Sequence, residues 1–129
     1  MKKIILLLSF FSVFVVACTN EKGDVAQPVV IKKNIITIND DFFSPASITI
    51  VAGDTISWIY PTGASVHTST CNASTTGTVF PSGGTTWDSG VLSPSPSNVF
   101  KVGITVPGNY TYICTVHGVM MSGTIIVSP

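Results

Sequence analysis

Near the C-terminus, Tyr110-Thr-Tyr112-Ile-Cys114-Thr-Val-His117-Gly-Val-Met120-Met121 places a thiol, an imidazole and two thioethers within eight residues. Soft sulfur donors select copper over magnesium or calcium, and a thioether is a poor zinc ligand, so Cys, His and Met together point to copper. A single strand-loop-strand offers three donors from one side, and the fourth must come from elsewhere. The second histidine of the chain is His67, forty-seven residues before Cys114. Two imidazoles and a thiolate in a trigonal plane, with a methionine sulfur at a long axial distance, suit both Cu(I) and Cu(II). A metal so held changes charge with little movement of its ligands. Four protein donors leave no open position for a substrate, which speaks against an enzyme and for a one-electron carrier.

The elements that must position these donors are strands. Ile36-Thr37-Ile38, Ile48-Thr49-Ile50 and Ile56-Ser57-Trp58 alternate apolar and hydroxyl side chains with period two. Phe100-Lys101-Val102-Gly103-Ile104-Thr105-Val106 predicts a half-buried antiparallel strand. Tyr110 to Thr115 and Thr124 to Val127 supply the last two strands. Ala52-Gly53-Asp54, Pro107-Gly108, Pro94 and Pro96 are the punctuation between them. By contrast, Thr68 to Thr86 is rich in Thr, Ser, Asn and Gly and reads as a long surface loop. The pattern predicts an all-β, two-sheet Greek-key sandwich of about seven to eight short strands.

Several landmarks follow one another along the chain: Phe43-Ser-Pro45 with Ile48 and Ile50, Ala52-Gly53-Asp54-Thr55 with Trp58, His67-Thr68, Trp87-Asp88-Ser89-Gly90, and Pro107-Gly108-Asn109-Tyr110-Thr111-Tyr112-Ile113-Cys114. In this order they resemble the cupredoxins, the small blue-copper proteins of the plastocyanin and azurin family, from Asn34 to Pro129. The spacing Cys114-x-x-His117 is similar to plastocyanin and amicyanin, and His117-x-x-x-Met121-Ser-Gly123-Thr124 is similar to the azurin end. The resemblance implies a copper-binding electron carrier with His67, Cys114, His117 and Met121 as ligands and redox proteins as partners. Met120 competes for the axial place, because amicyanin-like loops put two residues between His and Met. The family's Met-x-Gly step into the last strand favours Met121. Many relatives carry Asn directly after the first histidine; Thr68 stands there in this chain, and its hydroxyl is expected to bridge to the backbone beside Cys114.

The N-terminus carries an address. Lys2 and Lys3 precede an apolar run from Ile4 to Val16, broken only by Ser9 and Ser12, and the run closes on Val15-Val16-Ala17-Cys18. This pattern reads as a signal peptide over 1–17 with a bacterial lipobox, Cys18 being the lipidated residue. Residues 18–33 then form a solvated tether and 34–129 the copper domain. The expected location is the periplasm or cell surface, held to a membrane by the lipid on Cys18. Of the 129 residues only 9% are charged, and from Asn34 onward Lys101 is the one basic residue against Asp40, Asp41, Asp54 and Asp88. Such a surface has no stripe for nucleic acid, and association with a partner should depend weakly on salt.

Two other readings fit parts of this pattern. Copper delivery or storage at the envelope would use the same four ligands. Cys71, Trp87, Tyr112 and Cys114 also match an immunoglobulin-like sandwich with a Cys71–Cys114 disulfide and a tyrosine corner, but that leaves His67, His117 and Met121 without a role. In the copper reading Cys71 is a leftover thiol and not a ligand.

Overall fold

The computed structural model describes residues 34–129; the expected signal peptide over 1–17, the expected lipidation at Cys18 and the expected tether over 18–33 lie outside the described residues. Nine strands form between Asn34 and Pro129: β1 (Ile35–Asn39), β2 (Phe42–Ser44), β3 (Ser47–Val51), β4 (Thr55–Ile59), β5 (Thr70–Cys71), β6 (Trp87–Asp88), β7 (Val99–Gly103), β8 (Gly108–Cys114) and β9 (Gly118–Ser128). They make two sheets, one in the order β2-β1-β4-β7 and the other β3-β9-β8-β5-β6. Alternation decides which side chains enter the space between them: Ile36, Ile38, Ile56, Trp58 and Val102 from the first, Ile50, Tyr110, Tyr112, Ile125 and Val127 from the second. The predicted sandwich is therefore present, with nine strands where seven to eight were expected because β5 and β6 are only two residues each.

After the β1–β2 hairpin the chain crosses to the other sheet as β3 and returns as β4. These crossings make β1 parallel to β4 and β3 parallel to β9, beside otherwise antiparallel neighbours. The strand expected from Phe100 to Val106 keeps its alternation but leaves its ladder after Gly103. Ile104 instead exchanges backbone hydrogen bonds with the β3–β4 connection, through Gly53 and Asp54.

The hydroxyl-rich stretch after Thr68 corrects the sequence reading. It is not surface loop from its start, because His67 through Cys71 are all buried and Thr70 pairs with Ile113 of β8 and Asp88 of β6. Polar side chains tolerate that burial when hydrogen-bonded to one another. Ser69 Oγ accepts from the Trp87 indole at 3.0 Å, and the Ser69 amide donates to Ser89 Oγ at 2.8 Å. Only beyond Asn72 does the segment turn outward, with Asn72 Oδ1 accepting from Ser74 and Thr75.

The disulfide alternative also fails. Cys71 and Cys114 are both free thiols, and the Cys71 Sγ lies 3.6 Å from the Val79 carbonyl oxygen. The tyrosine-corner bond is made by Tyr110, whose hydroxyl donates to the Val106 carbonyl at 2.8 Å, and not by Tyr112. Burial pushes the Cys71 thiol up to about 11, above its ordinary 9.0. Because the folded state holds the proton more tightly, this contribution to stability is intact below pH 9 and is lost as pH rises towards 11. Native protein at pH 8 should leave Cys71 unmodified by iodoacetamide, and unfolded protein should react fully. Peptide mapping that finds Cys71 labelled in the folded protein would contradict its burial.

Candidate metal centre

The predicted donors come from three pieces of chain. His67 precedes β5 and is fixed on both sides of its backbone by Leu92: its N–H donates to the Leu92 carbonyl at 3.0 Å and its carbonyl accepts from Leu92 at 2.7 Å. Cys114 ends β8, on the inward side shared with Tyr112. His117 lies in the turn that follows, its N–H donating to the Cys114 carbonyl at 3.2 Å. Gly118 closes the turn at φ +63°, a left-handed conformation that glycine adopts without steric strain.

The β8–β9 pairing then changes register: Ile113 faces Ser122 whereas Cys114 faces Gly118. Val119, Met120 and Met121 form the excursion between these pairs, and successive side chains turn to opposite sides. Met121 is 1% exposed and Met120 is 92% exposed. With His117 and Asp41 the two methionines line a surface cavity of about 350 Å³. Ser122 leads to Gly123, where a Cβ would stand 2.3 Å from the Tyr112 ring, so the last strand can pass Tyr112 only with glycine there. Sequence reasoning placed the start of this strand at Thr124; the ladder begins at Gly118.

His67, Cys114 and His117 converge, with one donor atom of each lying within 4.8 Å of the others. Both histidines turn the same nitrogen to the sulfur, His67 Nδ1 at 3.7 Å and His117 Nδ1 at 3.5 Å from Cys114 Sγ. Their rings are 4.8 Å apart between centroids. His67 is sealed from solvent, whereas the His117 side chain is 28% exposed, beside exposed Val119 and Met120. A thiol, two imidazoles and an adjacent buried thioether are the donor chemistry that copper prefers, so the residues present fit that metal.

Hydrogen bonds hold the sulfur and its surroundings. The Thr68 N–H donates to Cys114 Sγ at 3.4 Å. Thr68 Oγ1 accepts from the Thr115 N–H at 2.8 Å, which is the bridge expected where relatives carry Asn. Thr70 Oγ1 lies 3.2 Å from both Thr68 Oγ1 and Asp88 Oδ1, continuing the network into the sheet. Orienting contacts of this kind fix ligand direction before any metal arrives.

Two carboxylates at the site were not anticipated. Asp40 Oδ1 lies 3.4 Å from His67 Nε2, and Asp41 Oδ1 lies 3.5 Å from His117 Nε2. Asp40 also accepts from the Ala64 N–H at 3.0 and 3.1 Å, from the Ser65 N–H at 3.4 Å and from the Tyr60 hydroxyl at 2.9 Å. The Ala64 amide, followed by Tyr60, holds the Asp40 carboxyl down at about 2. The Ala64 amide is thus directed to Asp40 and not to the sulfur. The available signal was a pair of acids in a charge-poor chain, just before Phe43-Ser-Pro45.

A β-sandwich in which two buried donors, His67 and Cys114, meet the partly exposed His117 defines a cupredoxin-type copper protein. The plastocyanin/azurin family of copper-binding proteins matches residues 30–128, and this chain belongs to that family. Copper is thus its cofactor, with His67, Cys114 and His117 positioned as possible ligands. Solved structures share the fold. A purple cupredoxin from Nitrosopumilus maritimus is 22% identical, with 73% of this chain and 98% of that one covered at a TM-score of 0.57. A pseudoazurin from Sinorhizobium is 23% identical over 74% of this chain and 72% of that one, with a TM-score of 0.55. A copper-containing nitrite reductase from Thermus scotoductus is 20% identical at a TM-score of 0.59; the match covers 81% of this chain and only 26% of the reductase.

Proposed function

We propose that the protein is a one-electron carrier in which His67 and His117 through Nδ1, Cys114 through Sγ and Met121 through its thioether hold a single copper ion. The observation that carries this reading is the convergence of both Nδ1 atoms on one buried sulfur, with one of the two rings reaching solvent. Bound copper supplies the Cu(I)/Cu(II) couple. Everything else falls to the chain. Leu92 and Thr68 fix the His67 backbone and the sulfur, so the donors need not rearrange between charge states. The exposed edge of His117, collared by Val119 and Met120 and with the Asp41 carboxylate beside its Nε2, offers a redox partner protein a small, largely apolar contact suited to brief encounters. Residues 1–17 as a signal peptide, the lipid on Cys18 and the tether to residue 33 would place this domain at the outer side of a bacterial membrane, a proposal that rests on the sequence pattern.

Burial supports Met121 over Met120 as the fourth donor. Met121→Leu should therefore shift the reduction potential and visible spectrum of the copper protein, whereas Met120→Leu should leave both nearly unchanged. The opposite pattern would reassign the ligand. Delivery of copper is a second reading, favoured by the cavity that joins exposed Met120 to His117 and Met121. Repeated reduction and reoxidation beside a competing Cu(I) chelator separates the two. An electron carrier keeps its copper through many cycles; loss within the first few would favour delivery.

A further inference from the structure

Asp40 and Asp41 occupy the turn between β1 and β2, and each approaches a different imidazole at the nitrogen turned away from Cys114. Neighbouring side chains in extended chain point to opposite sides. Here Asp41 has φ +73°, and with this left-handed turn both carboxylates face the pair of rings. A non-glycine residue is uncommon in that conformation, and such residues concentrate at functional sites. The two acids are not equivalent. Asp40 is anchored by Ala64, Ser65 and Tyr60 and its side chain is 41% exposed, whereas that of Asp41 is 80% exposed.

We propose that Asp40 is a positioning residue of the copper centre: it holds His67 as the Nε2–H tautomer, keeps the Nδ1 lone pair aimed at the metal position beside Cys114, and with Asp41 favours the more highly charged state of the metal. This rests on the reading of His67, Cys114 and His117 as ligands. An imidazole that donates its outer N–H to a carboxylate is fixed in orientation and is a more basic ligand at its other nitrogen. A fixed negative charge next to the ligand shell stabilises a dication more than a monocation. Asp40 is held by three groups of the chain besides His67, so it does not depend on the metal for its place. Tyr60 adds a packing restraint, its ring lying edge-on to His67 at 5.1 Å.

Asp40→Asn keeps the size and an acceptor oxygen but removes the charge. In the copper protein it should favour Cu(I) over Cu(II) by roughly tenfold, a rise of about 59 mV for a one-electron couple. Asp41→Asn, which suits the same left-handed backbone, should raise the potential by less, because water screens the more exposed carboxylate. Tyr60→Phe removes one anchor of Asp40 without altering charge and should leave the ratio within about twofold, which separates electrostatics from loosening. Imidazole nitrogen NMR on the copper-free protein supplies an independent readout. Wild-type His67 should carry its proton on Nε2, and Asp40→Asn should mix the tautomers. An unchanged or lowered potential in Asp40→Asn, or a wild-type His67 protonated on Nδ1, overturns the proposal. If the wild-type protein failed to form a thiolate-copper centre, the ligand reading would fall, and the copper-free tautomer would still decide whether Asp40 orients His67.

Discussion

Cys114→Ser should abolish the intense visible absorption of the copper-loaded protein, by more than about tenfold, while leaving the fold of the copper-free protein intact. Serine is close to cysteine in size and its oxygen can accept from the Thr68 N–H as the sulfur does, so the end of β8 loses little packing. What disappears is the one soft anion between the two imidazoles, since a hydroxyl is a poor donor to copper at neutral pH. The substitution is informative because the other described thiol cannot take over: Cys71 is buried with its Sγ against the Val79 carbonyl. Visible spectra and an unfolding curve on the same preparation decide the matter. A persisting band would mean that Cys114 is not the sulfur ligand.

Trp58→Ala should have the largest effect on stability, lowering it by about 3–5 kcal/mol, as truncation of a buried aromatic side chain does. Trp58 is fully buried on β4 and meets Phe100, Trp87 and Tyr112 at centroid distances of 5.7, 5.5 and 5.4 Å. It thereby joins the two sheets: Phe100 lies on β7 beside it, Tyr112 on β8 opposite. Tyr112 is two residues from Cys114, so a collapse of this contact would reach the metal end of the sandwich. Domains of this kind have a total stability of about 5–15 kcal/mol, and the variant would sit near the lower limit of folding. Urea unfolding of the copper-free protein measures the loss directly. A change below about 1 kcal/mol would show that the aromatic cluster does not hold the sheets together.

The parts of the molecule legible in the sequence are those governed by short-range patterns. Period-two alternation located β1, β3, β4 and the core of β7, and the soft donors of the last loop named the metal before any fold was considered. The family resemblance favours Met121 over Met120 as the axial donor, and Met121 is the buried one of the two. What local pattern could not convey was anything decided by partners distant in sequence. Thr68, Ser69 and Thr70 look like loop residues because their burial depends on Thr115, Trp87 and Asp88, which lie eighteen or more positions away. Asp40 looks like a turn acid for the same reason, since Ala64 and His67 reach it only after the chain has crossed between sheets twice. The β9 boundary was misplaced because the register change between Ile113 and Cys114 belongs to the pairing of two strands and leaves no trace in either one alone.

The central claim is that His67, Cys114 and His117 hold copper through two imidazoles and a thiolate. Electron paramagnetic resonance and visible absorption of the stoichiometric Cu(II) protein test it most directly. An intense thiolate-to-copper band with narrow parallel hyperfine splitting is the expected result. A nearly colourless protein with the wide splitting of an ordinary tetragonal Cu(II) complex would contradict it.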